Sequence, residues 1–206
     1  VGSEMCIRDS SEDIPTNVKA KAVHIAPIAN EIPPEIFSNI KRIGELVCLD
    51  PQGYTRNFDE KGNVSLKPWK NEEILRQLTV FKSNIDEIMC MTGASNLYSA
   101  MEQMANYGVK VVIVTMGAEG TALFFNGSLY EIPSFPAGRV VDPTGAGDVF
   151  IGAYLAEYVK GEEPVWCACV GSAAASFTIE KTGLLRFGFK NEIYERAAEI
   201  YEKLSL

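Results

Sequence analysis

A chain of 206 residues has ample length to bury one hydrophobic core, and a content of 47% hydrophobic and 22% charged residues is ordinary for a globular domain. The net charge of −8 argues against partners that need a basic surface, namely nucleic acids and anionic membranes. None of the five cysteines has the paired spacing of a zinc site, so we expect reduced, mostly buried thiols and a cytoplasmic location.

The first 13 residues show no hydrophobic periodicity, and the chain begins with valine. We interpret residues 1–13 as a non-native or disordered leader and exclude them from the fold. Residues 14–206 are assigned to one domain, which on this interpretation lacks its native beginning. No apolar run in the sequence reaches the length of a membrane-spanning helix.

The first regular elements alternate between strand and helix. Residues 22–25 form a short apolar run, an amphipathic helix is predicted to open at Pro33-Pro34, and residues 46–49 form a second apolar run. This order predicts a right-handed βαβ unit and therefore a parallel sheet. Asp50 follows the second run and is a common turn-forming residue. The polar residues 54–68 after it are predicted to form a surface excursion.

Asn84 and Glu87 follow a short strand predicted at residues 80–81. Asparagine is a favoured helix N-cap, and an acid three positions later supplies the other half of a capping box. A helix start also attracts phosphate groups, and Mg²⁺ bound to phosphates is held by a few carboxylates and several waters. Capping and metal binding are therefore compatible interpretations of the pair.

A β-branched run at residues 109–114 is typical of a strand buried on both faces. Thr115, Gly117 and Gly120 come directly after it, and their spacing alone favours a connection between strands that needs two glycines for its shape. Residues 121–132 are predicted to form a hairpin, because Asn-Gly at its centre is a strong two-residue turn signal.

The stretch from Val140 to Phe150 organises the second half of the chain. It predicts a strand end, a turn through Pro143 and a Gly-Ala-Gly run, and then the start of a helix. The first turn of a helix has unpaired N–H groups and the positive end of the helix dipole, so it can bind an anion such as phosphate. Asp148 is then either a capping residue or a general base beside a transferred phosphoryl group.

The sequence from Asp142 to Asp148, Asp-Pro-Thr-Gly-Ala-Gly-Asp, resembles the signature of the ribokinase-like (PfkB) carbohydrate and nucleoside kinases. Two further motifs occur in the family's order, Asn-x-x-Glu from Asn84 and Thr-x-Gly-x-x-Gly from Thr115. A strand that ends in Asp-Pro, as at Asp50, also resembles the family. The resemblance covers about residues 20–204.

The resemblance implies roles for individual residues. Asp148 would be the catalytic base, and the backbone amides of Gly145, Ala146 and Gly147 would form an anion hole. Glu87 would hold Mg²⁺ through water. The nucleotide would contact Asn84, Thr115, Gly117, Gly120, Gly147 and Ser172. A monovalent cation site, with K⁺ as the ion, would use Asp142, Thr144, Lys181 and Gly183.

The resemblance also implies a fold and an activity. We expect a three-layer α/β sandwich with a mostly parallel sheet, truncated at the N-terminus, where the family carries its first strands, acceptor contacts and lid. The expected activity is ATP-dependent phosphorylation of an alcohol group on a sugar, inositol or nucleoside, with the truncated chain inactive alone. The alternative is a non-catalytic nucleotide-binding or regulatory module. A homodimer is left open, and a Rossmann dinucleotide enzyme is disfavoured because its G-x-G-x-x-G fingerprint is absent.

Overall fold

The strands and helices gather into two compact units that divide between Ile113 and Val114. The computed structural model describes residues 14, 17–136, 138, 140–180 and 187–204, so the predicted leader at 1–13 lies outside the described residues. In each unit, strands with largely buried residues are covered by helices that bury apolar side chains.

The first unit alternates strands with helices. Its elements are β1 (Ala20–Ile25), α1 (Ile36–Ile43), β2 (Gly44–Leu49), α2 (Gln52–Thr55), β3 (Arg56–Phe58), β4 (Val64–Leu66), α3 (Glu72–Leu75), β5 (Val80–Asn84), α4 (Ile85–Thr92), α5 (Leu97–Asn106) and the first residues of β6 (Val111–Thr115). The strand order is β1-β2-β5-β6, and the pairs β1/β2 and β2/β5 are parallel. Strands β3 and β4 form a separate antiparallel ribbon.

The predicted βαβ unit is confirmed by β1, α1 and β2. Helix α1 buries Ile36, Phe37 and Ile40, which lie on one face at helical spacing. Lys41 and Arg42 occupy its last turn, where positive charge interacts favourably with the helix dipole. Because β1, β2 and β5 are parallel, their carboxyl ends lie along one edge of the sheet.

The surface excursion predicted for residues 54–68 is present at residues 57–66, which are exposed and contain most of the β3–β4 ribbon, but not at Tyr54 and Thr55, which are buried in α2. Tyr54 in α2 is 1% exposed and stacks on Trp69 with 4.7 Å between ring centroids. Its hydroxyl donates to the Ile32 carbonyl at 2.8 Å. The burial of Tyr54 could not be predicted from its polar neighbours, because it depends on contacts with residues that are distant in the sequence.

The second unit begins with the last residues of β6. Its further elements are β7 (Thr121–Phe125), β8 (Ser128–Ile132), α6 (Ala146–Tyr158), α7 (Pro164–Ile179) and α8 (Lys190–Glu202). Strand β7 lies between β6 and β8 and is antiparallel to β8. The predicted hairpin is confirmed: Asn126 and Gly127 form its turn, with φ angles of 51° and 76°.

Helices α6 and α7 pack closely against each other. A Cβ atom on Gly171 of α7 would lie 2.9 Å from the carbonyl oxygen of Phe150 and 3.0 Å from its ring, so glycine is required for this approach. Nearly all of α7 is buried, and the second unit is thus built around it. None of the helices in the described part of the chain combines the length and apolarity that crossing a membrane would need.

Candidate functional site

The turn before α6 has a fixed backbone conformation. The Thr144 N–H donates to Asp142 Oδ1 at 2.9 Å, and the Ala146 N–H donates to the Pro143 carbonyl at 3.2 Å. Gly145 has a φ of 78°, in the left-handed region that favours glycine, and α6 begins at the next residue. The predicted turn and helix start are therefore present.

The strand end predicted for Val140 and Val141, at the start of the stretch, is wrong. Val140 and Val141 have no regular secondary structure and are 60% and 43% exposed. The Val141 N–H donates to the carbonyl of Ile179, at the end of α7, at 2.7 Å. Two β-branched residues before a proline favour an extended backbone, and here that backbone lies against a helix end instead of joining a sheet.

Asp148 lies in the first turn of α6 with an exposed side chain. The N-cap of α6 is Gly145, and no side chain caps this helix, all of whose residues are described. The capping interpretation of Asp148 is therefore not supported. The Ala146 amide, one of the three predicted for the anion hole, is engaged by the Pro143 carbonyl within the turn.

A cavity of about 550 Å³ lies beside this turn, within the second unit. Its walls come from the turn and α6, the connection after β6, the segments at 134–136 and 140–143, and one face of α7. The lining residues are Thr115, Gly117, Ala118, Gly120, Thr121, Ser134, Phe135, Pro136, Val140, Pro143, Ala146, Gly147, Phe150, Ser172, Ala175, Ser176 and Ile179. Gly145 and Asp148 are not among them.

Five residues predicted to bind nucleotide thus line one cavity. Thr115, Gly117, Gly120, Gly147 and Ser172 come from three separate stretches of the second unit. The sixth, Asn84, belongs to the first unit. Glycines and apolar side chains dominate the lining, as is typical of a site for a flat apolar group with a polar extension.

The two glycines of the connection after β6 determine its backbone shape and also line the cavity. Gly117 and Gly120 have φ angles of 60° and 94°, and a Cβ on Gly120 would lie 2.2 Å from the Ile132 carbonyl oxygen. The Met116 N–H donates to the Gly120 carbonyl at 2.8 Å. The shape interpretation is therefore correct, and it does not compete with a place in the cavity wall.

Serine hydroxyls tie the cavity walls together. Ser172 of α7 donates to the Pro133 carbonyl at 3.2 Å, and Ser134 donates to the Ala118 carbonyl at 2.7 Å. Both bonds hold the segment after β8, which has no regular secondary structure. Ser172, for which a nucleotide contact is predicted, thus lines the cavity, and its hydroxyl is bonded to the backbone of the cavity wall.

Asn84 and Glu87 form a complete capping box at the start of α4. The Glu87 N–H donates to Asn84 Oδ1 at 2.8 Å, and the Asn84 N–H donates to Glu87 Oε2 at 2.9 Å. The capping interpretation is correct, and it leaves Glu87 Oε1 as the oxygen that could accept from a metal-bound water. The Glu87 side chain is buried.

A buried ion pair in the first unit was not foreseen from the sequence. Lys82 Nζ lies 2.5 Å from Asp50 Oδ2, and these side chains are 8% and 2% exposed. Leu49 of β2 aligns with Phe81 of β5, so the next residues of the two parallel strands are neighbours. Asp50 also accepts from the Gln52 N–H at 3.2 Å, which confirms its predicted turn-forming role.

One sequence signal could have revealed this pair. Lys82 follows the apolar residues Val80 and Phe81 within β5, and a lysine in a buried strand needs a partner carboxylate.

Burial raises the pKa of Glu87 above its ordinary value of 4.5, and the charge of Asp50 acts in the same direction. The Asn84 N–H, Lys82 and Arg56 lower the pKa of Glu87 and limit that rise.

Comparison with known proteins decides the family. Residues 9–187 match the pfkB family of carbohydrate kinases. The chain belongs to this family. The predicted resemblance is confirmed, and so is the ribokinase-like fold with its mostly parallel sheet.

Individual pfkB kinases resemble the chain along most of its length. The cytidine kinase of Thermococcus kodakarensis is 29% identical over 185 residues, which are 87% of this chain and 64% of that protein. The ribokinase structure of Thermotoga maritima has a TM-score of 0.74 and 27% identity and covers 92% of this chain and 61% of its own. A pyrophosphate-dependent kinase of the ribokinase family, complexed with a pyrophosphate analog and myo-inositol, has a TM-score of 0.76 and 26% identity and covers 91% and 66%.

The chain therefore spans about two thirds, or slightly less, of the length of these three proteins. These relatives act on or bind three different alcohols by their names: a cytidine, a ribose and a myo-inositol. The fold and the family are thus shared, whereas the acceptor varies from one relative to the next.

Metal binding by this pfkB-family chain stays a prediction. No group of three or more His, Cys, Asp or Glu side chains within the described ranges could hold a metal ion. Glu87 suits Mg²⁺ held through water rather than directly, because one of its oxygens already accepts within the capping box. Asp142 and Thr144 lie in the turn described above, but their predicted K⁺-site partners, Lys181 and Gly183, fall outside the described residues.

Proposed function

We propose that these residues form the donor-nucleotide part of a kinase that transfers a phosphoryl group from ATP to an alcohol group of a sugar, inositol or nucleoside. The observation that carries the proposal is the cavity beside the start of α6, which combines a glycine-rich helix start with an apolar wall. The helix start suits phosphates, because its amides and dipole attract negative charge. The apolar wall suits a nucleobase.

Asp148 is the proposed general base. Its exposed carboxylate, in the first turn of α6, would accept the proton of the acceptor hydroxyl as the γ-phosphoryl group arrives in line. The amides of Gly145 and Gly147 would stabilise the developing negative charge. The Ala146 amide would join them only after releasing the Pro143 carbonyl. When bound, Mg²⁺ would neutralise phosphate charge, and Glu87 is the residue proposed to hold it through water.

The cavity favours a nucleotide over pyrophosphate as the donor. A volume of about 550 Å³ lies in the range of cavities that enclose drug-sized ligands and exceeds what two phosphate groups occupy. Phe135, Ile179 and Ala175 of the lining offer apolar contacts that a pyrophosphate would not use. We therefore propose ATP as donor, although one similar kinase is pyrophosphate-dependent by name.

A coupled assay tests the proposed function. A longer protein that contains these residues is offered ATP or pyrophosphate together with a panel of pentoses, hexoses, inositols and nucleosides, and product is detected as phosphorylated alcohol. We expect ATP-dependent product from at least one alcohol. Turnover with pyrophosphate alone would contradict the assigned donor, and nucleotide binding without any turnover would favour the non-catalytic binding module.

The length of the chain bears on that assay. It spans 64% of the cytidine kinase and 61% of the ribokinase, so the activity is proposed for a protein that contains these residues. For the 206 residues alone we expect weak binding of Mg²⁺-nucleotide and no detectable transfer, because an acceptor must be positioned for the chemical step. Calorimetric binding and the alcohol panel, run on the same sample, separate the two properties.

Gly147→Val should weaken nucleotide binding by roughly tenfold, because the added side chain would occupy cavity space beside the helix start. The measurement is the Kd for Mg²⁺-ADP by calorimetry. Gly152→Val is the matched control, since Gly152 is exposed on the same helix and a Cβ there meets nothing within 4 Å. Equal affinities in the two variants would show that Gly147 is an ordinary helix residue.

Glu87→Gln should raise the Mg²⁺ concentration that gives half-maximal rate, because it removes a negative charge beside the proposed metal water shell. Glutamine can still accept from the Asn84 N–H, so the free energy of unfolding should change little. Asp86→Asn is the control, being an exposed acid in the same first turn. An unchanged Mg²⁺ requirement with lowered stability would leave Glu87 with its capping role alone.

The same Glu87→Gln variant tests the raised pKa of Glu87. The folded chain keeps the Glu87 proton to higher pH than the unfolded chain does, so the free energy of unfolding should fall as the pH rises above 4.5 through the raised pKa. Glutamine does not titrate and should remove this component. Urea unfolding at a series of pH values, with Asp86→Asn in parallel, measures the difference.

A further inference from the structure

Arg196 of α8 holds the cavity wall from outside. It does not line the cavity, yet it contacts two residues that do. Its guanidinium donates to the Ser176 hydroxyl at 2.7 Å and lies over the Phe135 ring, 4.5 Å from the centroid. Ser176 belongs to α7, whereas Phe135 lies in the irregular segment after β8. Arg196 therefore links two walls that no regular secondary structure joins.

The guanidinium is fixed in turn by the last turn of α7 and the residue after it. It lies 3.6 Å from the centroid of the Phe177 ring and forms a 2.8 Å ion pair with Glu180. The side chains of the ion pair are 19% and 21% exposed, so water screens the charges less than it would at the surface. Only arginine can stack on rings and donate in two directions at once, because its guanidinium is planar and carries five N–H groups.

The ring of Phe135 is the partly exposed side of this contact with Arg196. The neighbouring backbone is held by Ser134, which donates to the Ala118 carbonyl, and by Ser172, which donates to the Pro133 carbonyl. Neither bond involves the Phe135 ring, which is only partly buried. Arg196 orients the ring through the attraction between a cation and the face of an aromatic ring.

We propose that Arg196 is a positioning residue for the donor nucleotide, holding Phe135 as the aromatic wall against which the nucleobase packs. This inference rests on the proposed function, because it takes the cavity as the nucleotide site. It assigns Arg196 to the base of the donor and not to its phosphates. An inorganic polyphosphate should therefore bind independently of Arg196.

Arg196→Met tests the proposal by binding. We expect the Kd for Mg²⁺-ADP to rise by roughly tenfold, since both the cation–aromatic contact and the charged hydrogen bond are lost. The Kd for Mg²⁺-tripolyphosphate should stay within about twofold of the parent value. Arg196→Lys should fall between parent and methionine, because lysine keeps the charge and loses the planar fork. In a form of the protein that turns over, KM for ATP should rise while kcat stays nearly unchanged.

Lys190→Met is the matched control. Lys190 lies on the same helix, 5.2 Å from the centroid of the Tyr194 ring, and neither residue lines the cavity. This variant should leave both dissociation constants unchanged. A thermal melt of every variant separates folding from binding, and Phe135→Leu should add little to Arg196→Met if the two residues act as one unit.

The outcomes separate this proposal from the proposed function. A parent chain that binds neither ADP nor ATP overturns the proposed function and this inference together. A parent that binds ADP, with Arg196→Met binding it equally well, overturns the inference alone. Equal loss of ADP and tripolyphosphate binding also overturns it, because Arg196 would then support the second unit generally.

Discussion

Replacing Asp148 with asparagine should lower the rate of phosphoryl transfer by about 10²–10⁴-fold and leave nucleotide affinity nearly unchanged. Asp148 stands in the first turn of α6, next to Gly147 of the cavity lining, with an exposed carboxylate that caps no helix. Asparagine preserves the size of the side chain but cannot accept a proton. The rate is measured by single-turnover phosphorylation in a form of the protein that turns over, and ADP affinity by calorimetry.

Glu195→Gln serves as the control for Asp148→Asn, because Glu195 is an exposed acid of α8 away from the cavity lining. This variant should retain the parent rate. If Asp148→Asn keeps more than a tenth of that rate, Asp148 is not the base. A joint loss of transfer and ADP affinity would point to a structural role for the carboxylate in the turn.

Replacing Lys82 with methionine should lower the free energy of unfolding by about 3–5 kcal/mol, because it leaves the Asp50 carboxylate buried without its cation. The cost arises from the unpaired charge more than from the loss of the pair itself. The double variant Asp50→Asn with Lys82→Met should therefore recover much of the stability, since no buried charge remains. Urea unfolding followed by circular dichroism measures all three proteins.

Lys70→Met is the matched control for the buried pair. Lys70 also pairs with a carboxylate, Glu72, at 2.8 Å, but its side chain is 56% exposed. Water and salt screen such a pair, so its loss should change the unfolding midpoint little. Equal midpoints for Lys82→Met and Lys70→Met would mean that water reaches the Asp50 carboxylate in the folded state.

The parts of the fold that follow local rules could be predicted from the sequence. The βαβ start could be predicted from two apolar runs around an amphipathic helix, and the hairpin from Asn126-Gly127 between two strand-length runs rich in apolar residues. The β3–β4 ribbon could not, because its strands are only three residues long and mix polar with exposed apolar residues. At residues 140–141 the opposite error occurs, because a strand is predicted where none is present. A β-branched pair prefers the extended conformation even where a helix end accepts its backbone hydrogen bond.

The candidate site shows the same division. The resemblance to the kinase family implied that Thr115, Gly117, Gly120 and Gly147 belong to one site, and all four line the same cavity. The contacts of Arg196 with Phe135 could not, because they join residues that are distant in sequence and adjacent only after packing. The pairing of Asp50 with Lys82 lies between these cases: it follows from strand register, which becomes known once the strands are aligned.

The close packing of Gly171 against Phe150 affects how the cavity beside α6 can bind a ligand. A Cβ on Gly171 would lie about 3 Å from the Phe150 carbonyl oxygen and ring, so a larger residue there would push α6 and α7 apart. Phe150 is also part of the cavity lining, so the close packing that glycine allows positions a residue of that wall. A preformed wall spares the ligand the entropy of ordering it. Under the proposed function, selection among donor nucleotides would then depend on steric fit, and we expect well and poorly fitting nucleotides to differ in how long each one stays bound rather than in how fast it enters.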